Sequence, residues 1–318
     1  MLQYLIKRIG MAFLVAVLVM VFLALLVHAV PGDPVTDILG QRSTPELVRT
    51  VRAQMGLDKS VPAQVAQFVG HAFRGDLGRD FVSNLPVTRL IGNALPHTIA
   101  LAVSSLALAI LVGIPLGVLA ATRANGIVDR LTGIFSISLI TTPSYIAGLY
   151  LLLLFALTVK LFPAVGTGSF SHPLDYLQHL VLPAVALSLG WIGYFARLVR
   201  TSMLEVLNAN YIRTAYAYGL RERVIFYRHA LKNAIIPTVA VLGVGLGELM
   251  GGAVFVEVIF SRVGLGSLIV QSIETRNYPV VQGCVLTIAL LFVLANLLAD
   301  ISYRFLDPRI RVEESALH

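Results

Sequence analysis

An all-α polytopic membrane protein is the fold class that this chain predicts, and three observations carry it. Hydrophobic residues make up 57% of the 318 and charged residues only 13%, with a mean hydropathy of +0.83, well outside the range of a soluble domain. The apolar residues gather into six runs of membrane length. Those runs are continuous rather than alternating, the pattern of helices and not of the short two-faced strands of a β-barrel. The single cysteine, Cys284, lies inside the last run, so an intramolecular disulfide is excluded. A formal charge of +7 could suggest nucleic acid, but the basic residues are distributed by membrane side rather than gathered in one patch, so no nucleic-acid partner is expected.

The first run, residues 9–30, follows Lys7 and Arg8 and precedes Pro31-Gly-Asp-Pro34. Val27-His-Ala29 has the form of a signal-peptidase site, whereas a 22-residue run exceeds a signal core and matches the bilayer interior. It is read as an uncleaved N-terminal anchor, residues 1–30. Residues 31–96 then form a small extracytoplasmic element of mixed polarity, with seven basic and six acidic side chains. Within it Pro45 begins one predicted helix, with Leu47, Val48, Val51 and Met55 at helical spacing, and residues 61–73 make a second. Gly75-Asp-Leu-Gly78 reads as a turn.

Five further spans are predicted at about 98–121, 131–159, 177–196, 238–256 and 280–301, within a core of residues 97–303 followed by a tail, 304–318. Pro115, Pro143 and Pro183 fall inside three of them, where each removes a backbone donor and tends to kink the helix. Short loops set the orientation. With the N-terminus inside, fourteen Lys and Arg face the cytoplasm, while the short outside loops hold only Lys160, Arg262 and Arg276. Both termini are therefore predicted cytoplasmic.

The polar stretch 197–237 is the most informative segment. Its 41 residues carry seven basic and two acidic side chains and cannot lie in hydrocarbon, yet they are too helix-competent for a slack tether. Residues 205–218 contain good helix formers, Gly219 stands where a left-handed cap can end a helix, and residues 220–234 can form a second helix. Such a stiff knob can dock a partner, or an amphipathic hairpin can rest passively on anionic lipid.

Tyr211-Ile-Arg-Thr-Ala-x3-Gly219, followed by His229-Ala-Leu-Lys-Asn-Ala-Ile-Ile-Pro237, resembles the signature loop of the inner-membrane permeases of ABC importers, and more narrowly of the dipeptide/oligopeptide/nickel branch. Met55-Gly-Leu-Asp58, Arg74-Gly-Asp-Leu-Gly78, Leu95-Pro-His-Thr98, Gly251-Gly-Ala-Val-Phe-Val-Glu257 and Asp307-Pro-Arg-Ile-Arg311, with Pro31–Pro34 above, extend the likeness over nearly the whole chain. Against the general Glu-Ala-Ala-x3-Gly form this chain has Arg213, Thr214 and Ala215, and Pro237 lies eighteen residues after Gly219, a spacing that suits the peptide/nickel branch. The resemblance implies a type I ABC importer permease fold of six transmembrane helices in the bacterial inner membrane. It also implies a second homologous permease subunit, two cytoplasmic ATPase subunits or domains that use ATP and Mg, and an extracytoplasmic solute-binding protein. Tyr211, Ile212, Arg213, Thr214, Ala215 and Gly219 would form the coupling helix, with Tyr211 and Ile212 as apolar anchors and Ala215 allowing close approach. Short peptides are the leading cargo it implies; relatives carry nickel complexes, glutathione, opines and oligosaccharides.

No Gly-x4-Gly-Lys-Ser/Thr loop occurs, so ATP hydrolysis is expected in separate subunits and no cofactor on this chain. Neither His-Glu-x2-His nor Gly-x-Ser-x-Gly is present, and no catalytic or metal site is expected. His172 and His179 share an outside loop and read as solvated side chains rather than a metal pair. Glu248 is an isolated charge within a span, expensive in lipid, so it faces either an aqueous path or a polar contact where Gly243, Gly245 and Gly247 let helices approach. Asn296 and Asp300 share a face of the last span, and Asn296 is the second candidate for the path.

Overall fold

The computed structural model describes residues 10–11, 13–22, 25, 44–54 and 58–306. Among these residues the structure is helical apart from turns, with one isolated antiparallel bridge between Arg79 and Pro86. Nine of the 22 residues of the expected run 9–30, the Pro31–Pro34 and Asp307–Arg311 motifs, Met55 to Leu57 and most of the tail lie outside the described residues. The chain divides into two compact units: residues up to Thr98 with Arg262–Val293, and Ile99–Ser261 with the chain from Leu294.

In the first unit, helix α1 (Phe13–Phe22) packs on α3 (Val61–Ala72), with α2 (Pro45–Gln54) before it. Met20, Val65 and Leu286 form the buried centre of that contact, flanked by Phe68, Val69 and Ala72. The second predicted helix thus covers its apolar face with another part of the chain. The Gly75–Gly78 turn forms as expected: both glycines take positive φ, and the Gly78 N–H reaches Asp76 Oδ1 at 2.9 Å.

Beyond the turn, α4 (Val87–Thr122) begins well before the expected span. Its polar first turns, with Thr88, Arg89 and Asn93, are too hydrophilic to count as hydrocarbon but are helix-competent, so the helix outruns its membrane-length part. The first turns of α4, α12 (Leu265–Glu274) and α13 (Tyr278–Leu306) share a core of Val87, Ile91, Ala94, Leu265, Ile269, Val280 and Cys284. Thr98 Oγ1 accepts the Leu265 N–H at 2.8 Å and so serves the start of α12. Asp80 is the polar centre of this unit. Its carboxylate accepts the Val82 and Ser83 N–H groups at 3.0 Å, together with the Ser83 hydroxyl and the Asn277 amide.

In the second unit, α7 (Pro173–Leu207) is the hub, with 61% of its most apolar stretch buried against 44% for α11 (Leu242–Ile259). The reason is small residues at crossings. A Cβ on Gly117 of α4 would stand 2.6 Å from Ala196 O and 2.8 Å from Val199 Cβ, and one on Gly193 of α7 would stand 2.5 Å from Ser136 O of α5 (Ile127–Thr141). Helices therefore meet backbone to backbone on two sides of α7.

The three expected proline kinks divide. Pro143 breaks its span: α5 and α6 (Ser144–Leu151, continued by a π-helical segment Leu152–Thr158) meet at 101°. Pro115 and Pro183 are carried inside uninterrupted helices. Pro143 follows Thr142, whose extended backbone is the conformation favoured before proline, so the break is complete there. Among the described residues four helices are long and apolar enough to cross a membrane, or five when the bent pair is counted as one span; the described part of the expected first span forms the shorter apolar helix Phe13–Phe22.

Gly117→Ala is expected to cost about 1–3 kcal/mol of stability by overpacking, read as a lower Tm in detergent, while Gly133→Ala, with open space around it, should not lower the Tm. Burial pushes the Asp80 carboxyl up, but the bonds from Ser83, the Val82 and Ser83 N–H groups and Asn277 outweigh it and hold the group below its usual 3.8. Its stabilisation is accordingly complete above that pH and fades as pH falls through the lower folded value. Amide exchange in residues 80–87 should accelerate only in that acid range, and Asp80→Asn should show the faster exchange already at neutral pH.

Candidate functional site

The polar stretch 197–237 resolves into structure of a different outline from its sequence pattern. Its first eleven residues continue α7 to Leu207, so the helix expected over 205–218 is two pieces separated at Asn208 and Ala209. Helix propensity does not reveal that break; Ala209, in extended conformation, begins α8 (Asn210–Ala217) as its N-terminal flank. Gly219 has φ +71°, and the cap is complete: Gly219 N–H bonds to Tyr216 O at 2.9 Å and Leu220 N–H to Ala215 O at 3.3 Å. These are the two bonds of the left-handed glycine cap. The expected second helix is present over 222–234 as Glu222–Val224, a π-helical Ile225–Ala230 and Leu231–Ala234. Together they form α9, followed by α10 (Ile236–Ala240).

What α8 presents and what it hides are sharply divided. Ile212 is fully buried, and with Ala215 it joins Val118 and Ala121 of α4, Val199 and Met203 of α7, and Ile225, Ala230 and Ala234 of α9 in one core. Tyr211, Arg213, Thr214 and Tyr216 face outward, and Tyr218 at the end is 81% exposed. The Tyr211 hydroxyl accepts the Asn233 amide at 2.8 Å, tying α8 to α9. Of the two expected anchors, then, Tyr211 is on the surface and Ile212 is seated in the chain's own core; Ala215 gives close approach to that core. A helix of eight residues cannot hold itself in water, so its apolar face fixes it rigidly on the ends of α4 and α7.

Beside this platform is a charged pair the sequence does not announce. Arg200 of α7 holds Asp129 of α5 through both prongs of its guanidinium: Nε to Oδ1, and an Nη to Oδ2 at 2.7 Å. Asp129 Oδ2 also accepts the Asn125 N–H at 2.9 Å. Asp129 is 6% exposed and Arg200 32%. The residues are separated by 71 positions, and only an acid in the first turn of a helix hinted at the site.

The intramembrane candidates also resolve. Val244, Glu248, Gly251 and Phe255 form one exposed stripe along α11 at helical spacing. The buried glycines lie elsewhere on the helix: Gly243 meets Ala295 and Asn296 backbone atoms of α13, and Gly245 meets the Trp191 ring. Close approach therefore belongs to the glycines, and Glu248 is on the free face. Asn296 is half-buried beside Gly243, while the Asp300 side chain is outside the described residues. His179 Nδ1 stands 2.9 Å from Asp175 O and 3.3 Å from Asp175 Oδ1; no group of three metal-binding side chains occurs among the described residues.

A body of packed apolar helices, bearing one short helix held on the ends of two long ones, defines a multi-pass membrane protein. Residues 113–312 match the family model of the binding-protein-dependent transport system inner membrane component, and residues 1–102 match that of its N-terminal region. The chain is 37% identical over 309 residues to a probable peptide ABC transporter permease of Sinorhizobium fredii, covering 97% of this chain and 99% of that one. It is 40% identical over 310 residues to a putative peptide transport system permease of Brucella abortus (96% and 98% covered). A glutathione transport system permease of Pectobacterium atrosepticum is 37% identical over 311 residues (98% and 99% covered). In fold, the chain is similar to the MetNI methionine ABC transporter in an inward-facing conformation, with a TM-score of 0.57 at 20% identity, over 69% of this chain and 96% of that one. The chain belongs to the family of binding-protein-dependent transport system inner-membrane components, the multi-pass membrane permeases of ABC importers.

Ile212→Ala is expected to cost about 2–5 kcal/mol, whereas Arg213→Ala, on the outer face, should change stability by no more than about 0.5 kcal/mol; thermal unfolding of the purified chain separates the two.

Proposed function

We propose that this chain pairs with a second, homologous permease chain to enclose an alternating-access path for short peptides, with both termini and α8 on the cytoplasmic side. A solute-binding protein delivers the peptide to the outer face, which includes parts of residues 31–96. Two ATPase subunits, using ATP with Mg, grip the exposed face of α8 on each permease; their closure draws the coupling helices together and opens the path outward, and hydrolysis resets it. This chain moves solute and carries out no covalent chemistry.

The observation that carries this reading is the two-sidedness of α8. A passive hairpin on lipid would turn its apolar residues to the membrane, but Ile212 and Ala215 are spent on the chain's own core. The outer face holds Tyr211, Arg213, Thr214, Tyr216 and Tyr218, aromatic and arginine side chains of the type that anchor protein interfaces. Arg213 fits an acidic groove residue on the ATPase subunit. The names of the relatives support short peptides as cargo, glutathione itself being a tripeptide; nickel complexes, opines and oligosaccharides are the other solutes this architecture could pass.

Glu248 has a place in the same mechanism. An ionised carboxylate facing lipid at mid-span costs about 2.5–3.5 kcal/mol on insertion scales. The Val244–Glu248–Gly251–Phe255 stripe therefore turns toward the aqueous path, where an acid can meet the amino terminus of a peptide; Asn296, the second candidate, sits at the Gly243 crossing of α11 with α13, on a different face of α11.

Replacing Arg213 and Tyr216 together by alanine is expected to leave the permease pair assembled and to weaken ATPase-subunit retention about tenfold or more. ATP-driven uptake in proteoliposomes should fall with it. Uptake that persists without ATPase subunits would identify an autonomous secondary transporter instead. Glu248→Gln with normal assembly is expected to lower uptake, and unchanged uptake removes Glu248 from the path.

A further inference from the structure

The core that seats α8 draws its residues from α4, α7, α8 and α9, and among the described residues α5 contributes none. A push on α8 consequently reaches α4 and α7 directly, and reaches α5 through the four-residue turn that follows α4 and through what joins α5 to α7. The tight crossing of that pair is at Gly193, where Ser136 O lies 2.5 Å from a Cβ position, too close for any side chain. Asp129 and Arg200 stand seven residues beyond Ser136 and Gly193 on their respective helices, which is about two turns, or roughly 10 Å, toward the α8 end. Two helices joined only at a crossing can splay beyond it. Here they are joined again at their ends, by a two-pronged bond whose acid is almost wholly buried and also holds the Asn125 N–H of the turn before α5. A planar guanidinium held on both oxygens resists sliding and rotation in a way that a single charge contact does not.

We propose that Asp129 and Arg200 form a positioning latch that makes α5, and with it the Pro143 corner into α6, follow α7 when the ATPase subunits move α8. The proposal rests on α8 being the ATPase contact. With the latch closed, α4, α5 and α7 travel as one body; with it open, α5 is held to α7 only at the Gly193 crossing and to α4 only by the turn 123–126, and it lags behind α7. The pair touches neither substrate nor nucleotide, and its role is to transmit displacement between helices.

The test follows α5 and α7 separately in the assembled transporter with its ATPase subunits. Single cysteines replace Ile127, 76% exposed on the first turn of α5, and Glu205, exposed on the last turns of α7; the native Cys284 is buried and silent. Thiol-labelling rates are compared in the nucleotide-free and ATP-trapped states. With the latch intact both positions should respond to nucleotide. In Asp129→Asn, in Arg200→Gln and in the double variant, the response at position 127 should fall about fivefold or more while that at 205 is kept, and the double should be no worse than either single. Arg200→Lys, which keeps the charge and loses the fork, should fall between. A response at position 127 that survives these substitutions overturns the latch, even if the Tm drops. So does failure of all of them, Arg200→Lys included, to assemble, which would mark a purely structural strut. Absence of any response at both positions in the unmodified latch overturns the reading of α8 as the ATPase contact, a result distinct from survival of the response at 127 alone.

Discussion

The second unit depends on how closely α4 and α7 approach. Gly117 leaves room only for backbone and a β-carbon between the two helices, and one turn further on their ends hold the pocket that Ile212 fills. Without that approach the buried face of α8 has no floor, and eight residues of helix would not persist by themselves. With it, the short helix becomes a rigid extension of two long ones. Stiffness is what the proposed coupling role needs, because a displacement applied to a flexible loop is absorbed there and never reaches the membrane.

Tight crossings recur in this unit: Gly193 of α7 admits α5, and Gly243 of α11 admits α13. Apolar burial gives little preference between lipid tails and helix partners inside a bilayer, so packing at small residues and a few polar bonds must fix which helices stay together. Asp129 with Arg200 is such a bond in the second unit, and Asp80 with Ser83 and Asn277 has the corresponding place in the first. Both pairs join segments far apart in sequence, which makes them effective at holding topology.

The sequence disclosed what local chemistry determines. Runs of apolar residues gave the spans, a glycine after a helix-competent stretch gave the Gly219 cap, and Pro143 gave a break. Three features were not legible. Pro115 and Pro183 look like Pro143 in sequence but are carried within continuous helices, because the backbone of the preceding residue decides the matter and hydropathy does not report it. Ile212 and Tyr211 look alike as apolar anchors, yet one is core and the other surface, since the direction of the helix was unknown until α4 and α7 fixed it. Arg200 counted only as a loop charge, and its partner lies 71 residues away on another helix. Glu248 shows the opposite case: its glycine neighbours suggested a buried contact as readily as a free face, and the exposed stripe from Val244 to Phe255 distinguishes them.

The central claim is that α8 meets an ATPase subunit through one face while the other is locked to the membrane helices. Cysteine cross-linking, position by position from 211 to 218 in the assembled transporter, measures this most directly, because the native Cys284 is buried and gives no background. The account predicts cross-links to the ATPase subunit from positions 211, 213, 214, 216 and 218, and none from 212 or 215. Cross-links from 212 and 215, or a uniform yield along the helix, would contradict it.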